Sequence, residues 1–177
     1  MHASTEPSFG AGRAAAVLVA STSAAAGQAE DRTGPLLVEW LRGHGYACPD
    51  PIVVADGAPV ADALRALLEE RPPTDRPRVV VTTGGTGINP SDRTPEFVAP
   101  FLDHEIPGIM HALWSAGTQS VPTAVLSRGV AGVRDRTFLV TLPGSPGGVR
   151  DGIAVLDGLL SHIQAQLEGF RDHGERG

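Results

Sequence analysis

Arg78-Val79-Val80-Val81-Thr82-Thr83, followed at once by Gly84-Gly85-Thr86-Gly87 and then by Ile88-Asn89-Pro90-Ser91-Asp92-Arg93-Thr94-Pro95-Glu96, is the stretch on which the fold turns. Three consecutive valines without polar alternation mark a strand buried on both faces, the habit of parallel sheets. The glycines permit positive φ and close approach of the backbone, so successive N–H groups can point at one anion. Thr94-Pro95-Glu96 has the composition of a helix start, with Thr94 as cap and Pro95 at the first position.

The same alternation runs outward in both directions. Upstream, Val17–Ala20 predicts a strand, Ser21–Gln28 a loop, and the run from Thr33 a helix with Leu36, Leu37, Trp40 and Leu41 on one face. Pro51–Ala55 predicts a short strand, followed by Asp56-Gly57 and a helix carrying Val60, Leu64, Leu67 and Leu68. Downstream, Ile106–Gly117 predicts a helix, Thr123–Leu126 and Phe138–Leu142 predict strands joined by a Gly129–Asp135 connection, and Val149 to Leu167 predicts one long helix. Strands alternating with helices predict a three-layer α/β/α sandwich with a mainly parallel sheet, whose ligands sit beyond the carboxyl ends of the strands. The expected divisions are a disordered leader over residues 1–13, a single domain over 14–169 and a tail over 170–177.

Composition narrows the chemistry. Of 177 residues, 41% are hydrophobic and 19% charged, which suits one globular domain. All fourteen cations are arginine, so Walker A nucleotide hydrolysis, pyridoxal-phosphate chemistry and protein kinase chemistry, each of which needs a lysine, are excluded. Cys48 is the one cysteine, which excludes an internal disulfide framework and multi-cysteine metal sites and predicts a cytoplasmic address. A net charge of −6 without a basic block argues against nucleic acid. No apolar run approaches the roughly eighteen residues of a membrane span. Ala14–Ala20 behind Arg13 imitates a signal-peptide core, but its apolar run is short and Glu6 precedes it, so a buried first strand is the better reading.

Three loops at predicted strand ends carry the candidate site. In the first, Thr83, Gly84, Gly85, Thr86 and Gly87 form a phosphate cradle, although a glycine cluster also serves ordinary turns. The spacing is not that of a dinucleotide-binding loop. Asp92 stands a few residues away, where a carboxylate would repel phosphate unless a cation lay between them; magnesium is the natural choice, and Asp56 could supply a second carboxylate. Asp92 could equally serve the helix dipole and Asp56 a turn. Ser127-Arg128 offers a hydroxyl and a guanidinium fork suited to phosphate, or a surface ion pair. Pro143-Gly144-Ser145 enters a helix whose N-terminus can receive an anion. Rival sites fail: Gly108 stands where a zinc-protease helix starting at His104-Glu105 would need its second histidine, and proline follows Ser145, so no nucleophile elbow forms.

Read in order, Thr82-Thr83-Gly84-Gly85-Thr86-Gly87, Asp92-x-Thr94-Pro95-Glu96, Glu105-Ile106-Pro107-Gly108, Leu126-Ser127-Arg128 and Leu142-Pro143-Gly144-Ser145-Pro146 resemble the MogA/MoaB family of molybdenum cofactor biosynthesis. Asp31-Arg32-x-Gly34 resembles that family's pattern after the first strand. The resemblance covers roughly residues 15–168. It implies a trimer that binds molybdopterin, and for its catalytic members transfer of AMP from Mg-ATP to the molybdopterin phosphate with release of pyrophosphate. By motif, Asp56 and Asp92 match the family's catalytic and Mg²⁺-holding acids. Thr83 through Gly87, Thr94, Ser127, Arg128, Pro143, Gly144 and Ser145 match ligand-binding positions. The resemblance also implies possible hand-over of the product to a molybdenum-inserting protein. The alternative from another class is a non-catalytic molybdopterin carrier; a third places the fold in a nucleotide-cleaving enzyme of the competence-damage type or in part of a molybdenum-inserting protein. Two departures stand out: Ser21-Thr22-Ser23 replaces the Ser-Asp common after the first strand, and Ala55-Asp56-Gly57 replaces Pro-Asp-Asp or Pro-Asp-Glu while keeping the acid.

Overall fold

The valine run predicted as a doubly buried strand sits near the middle of a six-stranded sheet, in a computed structural model that describes residues 9–169. Its strands are β1 (Ala15–Ala20), β2 (Ile52–Val54), β3 (Val79–Thr83), β4 (His104–Glu105), β5 (Ala131–Arg134) and β6 (Thr137–Leu142), in spatial order β2-β1-β3-β6-β5-β4. The first four in that order run parallel, and β5 and β4 are antiparallel additions at one edge. The helices are α1 (Thr22–Ala25), α2 (Gly34–Gly43), α3 (Ala58–Leu68), α4 (Thr94–Val98), α5 (Pro107–Ser120), α6 (Pro146–Asp157) and α7 (Leu160–Leu167).

Side-chain alternation along β1 builds two cores. Ala15, Val17 and Val19 join Val79, Val81, Phe138 and Val140 against Leu37 and Leu41 of α2, Ile109 of α5, and Leu156 and Leu160 of the C-terminal helices. Ala16, Leu18 and Ala20 face the other way and meet Val60, Leu64 and Leu68 of α3 and Val98 of α4. Each fully buried leucine or valine contributes about 1.5–3 kcal/mol of burial free energy. The expected three-layer α/β/α sandwich is the observed one.

Several local expectations are corrected. Thr123–Leu126, expected as a strand, lies in a 3₁₀ turn over Pro122–Leu126 and leaves Val125 and Leu126 exposed, because β5 already pairs with that side of β6. The expected Gly129–Asp135 connection contains β5, turned into β6 at Asp135, the one non-glycine residue with positive φ (52°) among the described residues. The long C-terminal stripe breaks at Gly158-Leu159 into α6 and α7. The Ser21–Gln28 loop contains α1, a single turn that Ser21 caps by accepting from the Ala24 N–H. His104-Glu105 pairs with β5 as β4, a short strand not expected from the sequence, just ahead of the helix expected from Ile106. Most of the expected leader and all of the expected tail lie outside the described residues. Of the remainder, Phe9 packs on the His44 ring and the Gly10 N–H donates to the His44 carbonyl, so the packed body takes in residues 9–13.

Candidate functional site

Because β1, β3 and β6 run parallel in adjacent positions, their carboxyl ends deliver Ser21, Gly84 and Pro143 to one edge. The loops interlock there. The Thr83 hydroxyl donates to the Pro143 carbonyl at 2.8 Å, and the Gly84 N–H donates to the Leu142 carbonyl at 3.1 Å. Gly84 has φ +93°, and a Cβ on it would strike the Ala20 carbonyl. A Cβ on Gly144 would come within 3.0 Å of the Gly84 Cα. Only glycine lets these two loops cross so closely.

Both candidate carboxylates stand against glycines of the first loop. Asp56 reaches over from the end of β2 and accepts from the Arg93 N–H at 3.1 Å and from the Thr94 hydroxyl at 3.2 Å. Its carboxylate occupies the space a Gly85 side chain would need, and Gly85 itself has φ +63°. Thr94, expected as a helix cap, is the first residue of α4; its hydroxyl serves Asp56 and its N–H donates to the Gly85 carbonyl. Asp92 lies likewise against Gly87 and accepts from the Asn89 N–H at 3.1 Å. Asp56 and Asp92, 36 residues apart in the chain, thus brace one loop.

Arg128 does not extend freely toward solvent. Its guanidinium donates to the Gly87 carbonyl at 2.8 Å, to the Asp92 carbonyl at 2.6 Å and to the Glu96 carboxylate, while its backbone N–H donates to the Thr86 carbonyl. The hydrogen bond from Arg128 holds the Glu96 carboxyl below the usual range, and Glu96 in turn raises the Arg128 guanidinium further, with smaller contributions from Asp92 and Asp56. The Ser127 hydroxyl meets that of Thr86 at 3.2 Å. Ser145 caps α6 by accepting from the Gly148 N–H at 3.1 Å, which leaves its O–H free to donate outward.

Two clefts open on either side of the interlocked loops. The first, about 400 Å³, is mainly polar: Ser21, Asp31, Arg32 and Thr33 face Thr83, Gly84, Gly85 and Gly144. The second, about 420 Å³, has an apolar wall of Met110, Leu113 and Trp114 facing Thr86, Gly87, Ser127, Pro143 and Ser145. Both volumes fall in the range of small-molecule sites. Asp56, Asp92, Thr94 and Arg128 line neither cleft; they sit one residue behind, against or bonded to the glycines that do.

Sequence reasoning passes over the Trp114 wall; the Trp114 indole N–H donates to the Ser127 carbonyl at 2.9 Å and so joins α5 to the site. It also passes over the capping role of Asp31, whose carboxylate accepts from the Thr33 and Gly34 N–H groups and fixes the start of α2 beside the polar cleft. An acid three positions before a Gly-Pro helix start is the available signal.

Among the described residues no group of three or more His, Cys, Asp or Glu side chains could hold a metal ion. Magnesium needs less: one or two carboxylates, with phosphate oxygens and water completing the shell. Asp56 and Asp92 fit that requirement, since each keeps unused oxygen lone pairs beside the cradle.

Residues 16–162 match the protein family described as "Probable molybdopterin binding domain". A "Molybdenum cofactor biosynthesis bifunctional protein" of Synechococcus elongatus is 38% identical over 165 residues, covering 93% of this chain and 50% of that one. A "Molybdopterin adenylyltransferase" of Haemophilus influenzae is 33% identical over 137 residues, covering 74% of this chain and 66% of its own. The chain spans about half the length of the bifunctional curated relatives it matches. Among solved structures, the molybdopterin biosynthesis Mog protein from Mycobacterium ulcerans superposes with a TM-score of 0.81 at 46% identity, covering 88% of this chain and 99% of that one.

Proposed function

The chain belongs to the molybdopterin-binding domain family, and on that basis we propose that it is a molybdopterin adenylyltransferase, transferring AMP from Mg-ATP to the terminal phosphate of molybdopterin. The observation that carries the reading is one glycine loop shared by two clefts, with a carboxylate behind each side of it. Two guests that react through phosphates need such an arrangement, because proximity and charge neutralisation supply the rate. The name of the Haemophilus influenzae relative supports the same reaction.

A terminal phosphate oxygen of molybdopterin bonds to the α-phosphorus of ATP, the bond from that phosphorus to the bridging oxygen breaks, and pyrophosphate leaves with the electron pair. A phosphate monoester is already anionic at neutral pH, so no Ser–His pair is required. Backbone N–H groups of Gly85 to Gly87 orient the phosphates, the Gly84 N–H being taken by the Leu142 carbonyl, and Ser145 donates from the α6 N-terminus. Asp56 and Asp92 would hold Mg²⁺, which when bound neutralises charge gathering on the phosphates. The same reading takes the molecule as a cytoplasmic homotrimer that hands its product to a molybdenum-inserting protein. No helix among the described residues is long and apolar enough to cross a membrane.

The test is to incubate the protein with molybdopterin, ATP and Mg²⁺ and to follow pyrophosphate together with the mass of the pterin product. Asp92→Asn is expected to abolish turnover while leaving pterin binding intact, because it removes charge without reshaping the cradle; loss of pterin binding itself overturns the assignment of Asp92. Tight pterin binding by the wild-type protein without pyrophosphate release would instead identify a carrier.

A further inference from the structure

A guanidinium at a strand end suits phosphate, yet the Arg128 fork points into the protein's own loop. Its Nε donates to the Gly87 carbonyl and its Nη2 to the Asp92 carbonyl, so one planar group grips both ends of the segment between them. That segment has little other anchorage: Ile88 is 68% exposed, and Asn89, Pro90 and Ser91 are exposed as well. Within it the Asp92 carboxylate closes the turn on the Asn89 N–H. Arg128 is itself held from two sides, by the Glu96 carboxylate of α4 and by its backbone N–H on Thr86, and the neighbouring Ser127 carbonyl is tied to Trp114 of α5.

We propose that Arg128, seated by Glu96, is a positioning residue that sets where the Asp92 carboxylate stands beside the glycine cradle. The proposal rests on the transferase reading for its kinetic consequence, though not for its structural one. The fork geometry matters, because two carbonyls at fixed separation require donors at fixed separation. A lysine ammonium carries the charge but offers one point of attachment. Losing the grip lets the 88–91 segment move and carries Asp92 with it, and a displacement of about 1 Å at a reacting centre can cost on the order of 100-fold in rate.

The variants are Arg128→Lys, which keeps charge and loses the fork, Arg128→Ala, and Glu96→Gln, which loosens the seat. Arg65→Ala, which breaks an exposed ion-pair cluster on α3, is the control. Amide hydrogen exchange of unliganded protein is expected to rise about 10-fold or more at Asn89 and Thr94 in both Arg128 variants, and less in Glu96→Gln, while β1, β3 and β6 keep their protection. In pyrophosphate release, kcat falls by about 10- to 100-fold with KM for ATP within about threefold of wild type. Arg65→Ala changes neither readout. Unchanged exchange at Asn89 and Thr94 overturns the proposal, and so does a raised KM for ATP at constant kcat, which would make Arg128 a direct phosphate ligand. If wild-type protein releases no pyrophosphate, the transferase reading fails and the exchange measurement alone decides the grip.

Discussion

The two ends of the parallel sheet handle charge in opposite ways. At the carboxyl end the carboxylates of Asp56 and Asp92 accept from the backbone N–H groups of Arg93 and Asn89 and lie against glycines. At the amino end long side chains satisfy one another. Arg13 makes a two-pronged ion pair with Glu168 at 2.7 and 2.6 Å, Gln164 donates to Glu168 at 2.9 Å, and the buried Tyr46 hydroxyl donates to Gln164 at 3.0 Å. The amino end is a lock that ties α7 to the start of β1. The carboxyl end keeps carboxylate lone pairs and the Gly85 to Gly87 N–H groups for guests, and its loops are held by close glycine packing together with bonds to loop carbonyls from Thr83 and Arg128. The comparison teaches that a polar network made of side chains closes a surface, whereas one made of backbone and glycine leaves it open to ligand.

The sharpest way to break that contrast is Gly85→Ala. A methyl group there meets Asp56 and Thr94 at a left-handed φ, so both the cradle and the carboxylate behind it must shift. Turnover is expected to fall on the order of 100-fold or more by pyrophosphate release, with a lowered melting temperature; near-normal turnover would show that the Asp56–Gly85 contact is dispensable.

At the other end, Glu168→Gln should cost about 1–2 kcal/mol, lower Tm by roughly 2–8 °C and leave turnover per folded molecule unchanged. The effect is pH-dependent. Hydrogen bonding to Arg13 holds the Glu168 carboxyl below its ordinary value, so its contribution is complete above the unfolded value of about 4.3 and is lost as pH falls through the lower folded value. Melting curves across pH 3–6 should therefore show an acid limb, set on about that range by the unfolded value, that Glu168→Gln flattens.

The smallest effect concerns Tyr46. Tyr46→Phe should cost about 1 kcal/mol through the unpaired Gln164 oxygen. Burial pushes the Tyr46 phenol up to about 12. As the chain has a single tyrosine, absorbance titration reads it directly, and stability should fall as pH rises from the unfolded value of about 10 toward 12. Ionisation near 10 in folded protein would show the lock to be open.

How much of this is legible in the sequence varies element by element. The Val79–Val81 run and the helical stripes of α2 and α3 are readable because each carries its period in adjacent residues. Local composition misleads where pairing partners decide: the apolar residues Val125 and Leu126 have strand composition but find no strand edge, while Ala131–Arg134, weak in composition, is recruited beside β6. At the site, Gly84, Gly85 and Gly87 can be singled out as close-approach positions, but nothing local says that Asp56 fills the space beside Gly85. Nor can Arg128 be distinguished as grip or ligand, since the same guanidinium suits a carbonyl pair and a phosphate.

By itself the sequence determined the alternation of strands and helices, the lysine-free chemistry and the glycine loops at strand ends, because each depends on residue type and short-range spacing. Tertiary structure alone decided the antiparallel edge, the two clefts that share one loop, and the placing of Asp56, Asp92, Arg128 and Trp114 around it. Those depend on contacts between residues far apart in the chain, such as Asp56 with Thr94 and Arg128 with Gly87, whose geometry exists only once the parallel strands have brought their ends together.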